Sequence, residues 1–273
     1  MVATGTPIEH RSEESPEDER FPAAVPIEPP DRVVDRFGDH HPAWVAVVLM
    51  VVGYVVLAST VTVMGLILTH GPLVRPIRVL DRWISEWFAE QRTPTLNEIT
   101  SYLGLLADTT TVLGIAFVTV IVLAIRRSWP RAALLAVALT VEVTVFLTAA
   151  VLVARDRPDI RQLDDVPPTS SFPSGHTAAA IALYVGLALI FSPSVRNEAI
   201  RVAMWIGALL IPLVVAFSRL YRGMHAQTDV VAGVMVGVVA LLIAILAVRT
   251  AEAVAERRRG VSRPNAAELE PVR

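Results

Sequence analysis

Six apolar runs, at 44–68, 104–125, 132–154, 176–191, 199–217 and 230–248, dominate the chain. Each approaches the roughly 20 residues that a helix needs to cross a bilayer. Backbone N–H and C=O groups meet no water in hydrocarbon, so such runs are predicted to be helices. Six of them define an all-α, polytopic membrane bundle. With 53% hydrophobic and 18% charged residues, the chain is more apolar than a soluble domain. Short polar links at 126–130 and 192–197 make the helices they join antiparallel neighbours.

Polar ends bracket the runs. Residues 1–43 are acidic and Pro-rich, with no apolar stretch to offset the entropy of ordering them, and are predicted to be a disordered tail. They lack the basic start and short apolar core of a signal peptide, so the first run is expected to remain as an uncleaved anchor. The membrane domain is expected over 44–249, followed by a polar tail at 250–273 whose Arg257, Arg258 and Arg259 suit a cytoplasmic membrane surface. In the link at 70–102, Ile77, Leu80, Ile84, Trp87 and Phe88 recur at helical spacing opposite Arg78, Asp81, Arg82 and Glu86. The pattern predicts an amphipathic interfacial helix with Trp83 and Trp87 at headgroup level, or else a surface helix packed across the bundle.

Arginine counting sets the orientation. A cytoplasmic N-terminus places Arg32, Arg36, Arg126, Arg127, Arg131, Arg196, Arg201 and Arg249 inside, so both termini are expected in the cytoplasm of a cell with this protein in its membrane. The net charge of −2 gives no reason to expect a nucleic-acid partner. Cysteine is absent, which excludes disulfides, thiolate metal sites and cysteine nucleophiles. Lysine is absent too, which leaves arginine, whose planar fork matches phosphate, as the basic side chain besides histidine, although biased codon usage accounts for that choice as readily.

Alternation of crossings brings four polar groups to one face. Arg155, Arg157 and Pro158 follow the third run, residues 172–176 open the fourth, Ser218 and Arg219 close the fifth, and His225 and Asp229 lead into the sixth. Within SFPSGHTAAA, Pro173 suits a helix start, Ser171 or Ser174 suits its cap, and Gly175 lets an anion approach free N–H groups. A plain helix start is the alternative. His225 and Asp229 are four apart and meet on one helical face, where the carboxylate would fix the imidazole tautomer, or make a purely structural bond. Arg157 and Arg219 are the first candidates for phosphate contacts. Arg155 and Arg222 are possible auxiliaries, with snorkelling to headgroups as the alternative. No carboxylate cluster on this face suggests a metal, no cofactor is implied, and Asp164 and Asp165 read as solvated loop charges. Glu142 falls mid-run, where an ionised carboxylate costs roughly 2.5 kcal/mol or more. It is expected to face the bundle, paired or protonated, with a substrate or proton role as the minority alternative; Asp108 raises the same question more gently.

Together these residues resemble the signature of the type 2 phosphatidic acid phosphatase superfamily, which includes membrane lipid phosphatases and soluble vanadium haloperoxidases. That signature is a lysine, six residues, then Arg-Pro; Pro-Ser-Gly-His; and Ser-Arg, five residues, His, three residues, Asp. Arg157 and Pro158 match the end of the first part, residues 173–176 the whole second, and Ser218, Arg219, His225 and Asp229 the third. One position departs: Ala150 stands where the lysine is expected. The resemblance implies that His225 attacks phosphorus with Asp229 orienting it, and that His176 protonates the leaving oxygen and then activates water. Arg157, Arg219, Ser174 and the Gly175 N–H would hold the phosphoryl oxygens. The implied function is hydrolysis of a phospholipid phosphate or polyprenyl (di)phosphate at the extracytoplasmic face, without metal or cofactor. A phosphotransferase, or a weakened scaffold or transporter of the same fold, stays open.

Overall fold

The computed structural model describes residues 29–71, 74–166 and 168–261; most of the tail expected at 1–43 and of that at 250–273 lies outside them. Among the described residues all regular structure is helical. The elements are α1 (Asp31–Phe37), α2 (Pro42–His70), α3 (Val74–Glu90), α4 (Pro94–Leu105), α5 (Thr109–Ile125), α6 (Trp129–Val153), α7 (Gly175–Ala180), a π-helical turn (Ile181–Val185), α8 (Gly186–Phe191), α9 (Glu198–Tyr221) and α10 (Gln227–Val261). Six spans among them are long and apolar enough to cross a membrane. The chain is a multi-pass membrane protein.

Capping residues explain several boundaries. Thr93 Oγ1 accepts from Leu96 N at 3.2 Å, and Pro94 follows at the first helical position, so the second span begins at Pro94 rather than near 104. That span breaks at 106–108. Asp108 restarts it by accepting from Thr110 N and Thr110 Oγ1 at 3.2 and 2.6 Å, and the Tyr184 hydroxyl donates to the carbonyl of Leu106 at 2.7 Å. Asp108 is thus a helix cap, which answers why an acid sits in an apolar run.

The described parts of both ends are helical. Asp31–Phe37 is helical and docks against the far end of α10 through Arg257 and Asp35 at 2.6 Å, while His40 stacks on Trp44. At the other terminus α10 continues past 250, where Ala, Glu and Arg are strong helix formers and the buried Thr250 and Val254 still pack.

The centre of the bundle is α2, α6 and α10, whose Val61, Val141, Val145, Ala232, Val236 and Ala240 form one buried cluster. Gly233 and Gly237 lie one turn apart on α10 and let it pack against α7 at backbone distance. A Cβ on Gly233 would stand 2.5 Å from the Ser174 carbonyl, and one on Gly237 2.7 Å from that of Ala178. This close approach seats the start of α7 beside the start of α10.

The amphipathic α3 has the expected helix but a different facing. Leu80, Trp83 and Trp87 are exposed and point away from the bundle, as an interfacial helix requires, whereas Asp81 and Ser85 are buried against it. Glu142 faces the bundle as expected, yet pairs with no described side chain.

Candidate active site

His225, His176, Arg157, Arg219 and Gly175 line one cavity of about 780 Å³ at the end of the bundle. Four separate segments deliver them. The chain leaves α6 at Ala154, which is left-handed at φ 48° and turns the backbone into the loop at 155–174. Gly223, at φ 74°, makes the matching turn between α9 and α10.

His225 is buried, and its Nδ1–H donates to the Ser171 carbonyl at 2.7 Å. That bond fixes the tautomer and leaves the lone pair on Nε2. The spacing of His225 and Asp229 predicts a direct contact, but Asp229 Oδ2 lies 4.0 Å from Nδ1. The carboxylate instead accepts from Ser171 Oγ at 2.6 Å and Ala226 N at 2.8 Å. It therefore holds the segment that holds the imidazole. Burial, reinforced by the charges of Arg219 and Arg157, drives the His225 imidazolium well below the ordinary histidine range, so the ring is neutral near pH 7.

Arg157 donates through Nη1 to the Met224 carbonyl at 2.5 Å, and Arg219 through Nη1 to Asp164 at 3.1 Å. The Nε–H of each is buried with no hydrogen-bond partner. Those two atoms are enclosed by protein, and the donors left toward the cavity are the Nη2 groups: that of Arg219 has no partner and is not enclosed, and that of Arg157 meets only the Thr169 carbonyl at 3.4 Å.

The other candidates have different duties. Arg155 lies outside the lining of this cavity and is held between carboxylates, with Nη1 2.6 Å from Asp229 and Nη2 2.8 Å from Asp81. Thr228 Oγ1 donates to Asp81 at 2.6 Å and closes the network. Arg222 is spent on Asp164, the Asn97 carbonyl and the Leu163 carbonyl. Both auxiliaries are thus structural cations, their reach taken up by protein acceptors. The Ser174 hydroxyl meets Thr177 Oγ1 at 3.0 Å and is wholly buried outside the cavity lining, because the close packing of α10 covers it. Ala150 lines a neighbouring cavity that shares Arg157 with the first.

Asp164 corrects its sequence reading as a solvated charge. It bridges Arg219 and Arg222, and although burial alone would raise its pKa, the bond from Arg222 and the charges of both arginines hold it below the ordinary carboxylate range. Asp81 and Thr228 were invisible as site residues, since nothing in the α3 pattern marks which polar position turns inward. Ser171 stood out only as a cap candidate.

A helical membrane bundle with two histidines and two arginines around one cavity defines a class: integral membrane proteins with a cationic, histidine-lined pocket. Residues 129–253 match the PAP2 superfamily. The structure is similar to that of a transmembrane PAP2 type phosphatidylglycerolphosphate phosphatase from Bacillus subtilis, with a TM-score of 0.58 at 21% identity over 82% of this chain and 98% of that one. LpxE of Aquifex aeolicus aligns with a TM-score of 0.46 at 23% identity over 59% of this chain and 92% of that one. No curated protein gives a significant match. The chain shares its fold with the Bacillus subtilis PAP2 type phosphatase.

Proposed function

We propose that this protein is a lipid phosphatase that hydrolyses the phosphate of a phospholipid or polyprenyl (di)phosphate through a phosphohistidine. The observation that carries the reading is the pair of guanidinium groups of Arg157 and Arg219, each with an Nη2 not held by a close protein acceptor, at a cavity lined by both histidines. The same cavity is lined by Leu105, Leu113 and Val143, which are also exposed on the apolar flank of the bundle, so a lipid tail has a sideways path to it.

In this mechanism the lone pair of His225 Nε2 attacks phosphorus as the bond to the lipid oxygen breaks. His176 gives that oxygen its proton. Water then attacks the phosphohistidine, His176 takes a proton from it, and cleavage of the P–N bond returns the lone pair to Nε2. Arg157 and Arg219 stabilise the equatorial oxygens during both transfers. The arginine-rich ends at 126–131 and 196–201 lie opposite the cavity, which favours cytoplasmic termini and an extracytoplasmic site.

Purified protein in detergent, given a panel of lipid phosphates, should release inorganic phosphate in the presence of chelator and be inhibited by vanadate. His225→Ala should abolish release. Substantial turnover by that variant would remove the nucleophile.

A further inference from the structure

Glu142 stands apart from the machinery just described. It sits on α6 one turn before Phe146, whose ring packs within about 3 Å of where a Gly175 Cβ would lie. One helical turn carries the carboxyl about 5 to 6 Å further from the phosphate seat toward the middle of the bilayer. It is 4% exposed and lines the same cavity as His176 and His225. No hydrogen bond or ion pair from a described residue reaches it. Its oxygens are nevertheless not sealed off, for they are absent from the fully enclosed, unpartnered polar atoms. Leu113, Leu139, Val143 and Phe146 share the cavity lining with it, as do Thr109 and Thr140.

A carboxyl placed so makes no hydrogen bond within the described protein and presents its oxygens to the cavity. A ligand lying along the cavity, with its phosphate at the arginines, would bring its next few atoms past this group. From that juxtaposition, and resting on the lipid phosphatase reading, we infer that Glu142 selects for substrates bearing a hydrogen-bond donor, a hydroxyl or amide N–H, shortly beyond the phosphate ester. A carboxyl offers an acceptor oxygen in either protonation state. Lipids with a hydroxyl- or amide-bearing backbone satisfy the requirement. A polyprenyl chain, hydrocarbon from the ester onward, leaves the acceptor desolvated and unpaired.

The test compares a linear alkyl phosphate with isomers carrying one hydroxyl at successive carbons of the same chain. The wild type should prefer one or two adjacent isomers over the plain alkyl phosphate by about tenfold in kcat/KM, the scale of one buried hydrogen bond. Glu142→Gln keeps a carbonyl acceptor and should keep most of that ratio, whereas Glu142→Leu should bring it near one. No preference in the wild type, or a preference that survives in Glu142→Leu, would overturn the assignment. Binding of the matching non-hydrolysable phosphonates is measured in parallel and does not depend on turnover. A binding preference that follows Glu142 while no phosphate is released would uphold the selectivity and remove the hydrolase reading. Hydrolysis blind to the hydroxyl would do the reverse.

Discussion

His225 aims its Nδ1–H at the carbonyl of Ser171, 2.7 Å away, and that backbone oxygen occupies the place a triad-like carboxylate would take. Asp229 acts one bond further out, through the Ser171 hydroxyl. Asp229→Asn should therefore lower kcat/KM by about 10–100-fold, the range for a partner that orients a functional group indirectly, without abolishing phosphate release. Ser171→Ala retains the carbonyl and should lose less. Steady-state phosphate release on the best lipid of the panel measures both; inactivity of Asp229→Asn equal to that of His225→Ala would mean the carboxylate has a direct role.

Arg155 neutralises two buried acids at once. Its side chain is 11% exposed, and those of Asp81 and Asp229 are 7% and 0% exposed. Arg155→Ala should destabilise the protein by roughly 3–5 kcal/mol, because the carboxylates are left facing each other without compensation. Adding Asp81→Ala should recover part of that loss, a coupling that thermal unfolding in detergent would read as a clear departure from additivity.

The acid side of the stability curve has a defined sign. Folded His225 resists protonation, while the unfolded chain takes up the proton as pH falls through about 6.5. Stability contributed by keeping this ring neutral is present above that pH and drains away below it, until the depressed folded pKa is reached. Asp164, held low by its arginines, adds a second loss at still lower pH. Histidine 15N spectra should show His225 as the Nδ1–H tautomer with no midpoint near 6.5; a titration there would contradict the burial.

Backbone contact between α7 and α10 sets the distance between the two histidines. Leucine at Gly237 would drive a Cβ to 2.7 Å from the Ala178 carbonyl and push the helices apart. Even a displacement of about 1 Å at His176 should lower activity on the order of 100-fold. Gly114→Ala, where nothing lies within 4 Å, is the control and should be silent. Phosphate release by the two variants, at matched thermal stability, separates a misplaced site from an unfolded one.

Much of the plan was readable from one dimension. Hydrophobic length fixed the number of crossings, and alternation put Arg157, His176, Arg219 and His225 at one end, because chains in a bilayer have only two sides to emerge on. The amphipathic α3 was equally plain in its periodicity. Its rotation was not: turning Asp81 inward depends on an arginine 74 positions away and a threonine 147 away. Composition also gave no sign of the helix at Asp31–Phe37, which pairs with α10 through Asp35 and Arg257.

The sequence by itself determined which side chains share a face of the membrane, since apolar length and crossing parity need no packing information. Tertiary structure alone decided which of those side chains are free to meet an anion and which are already bound. Hydrogen-bond partners depend on where distant backbone lands: the guanidinium of Arg155 is taken up by Asp81 and Asp229, whereas that of Arg219 keeps an Nη2 without a partner beside the cavity.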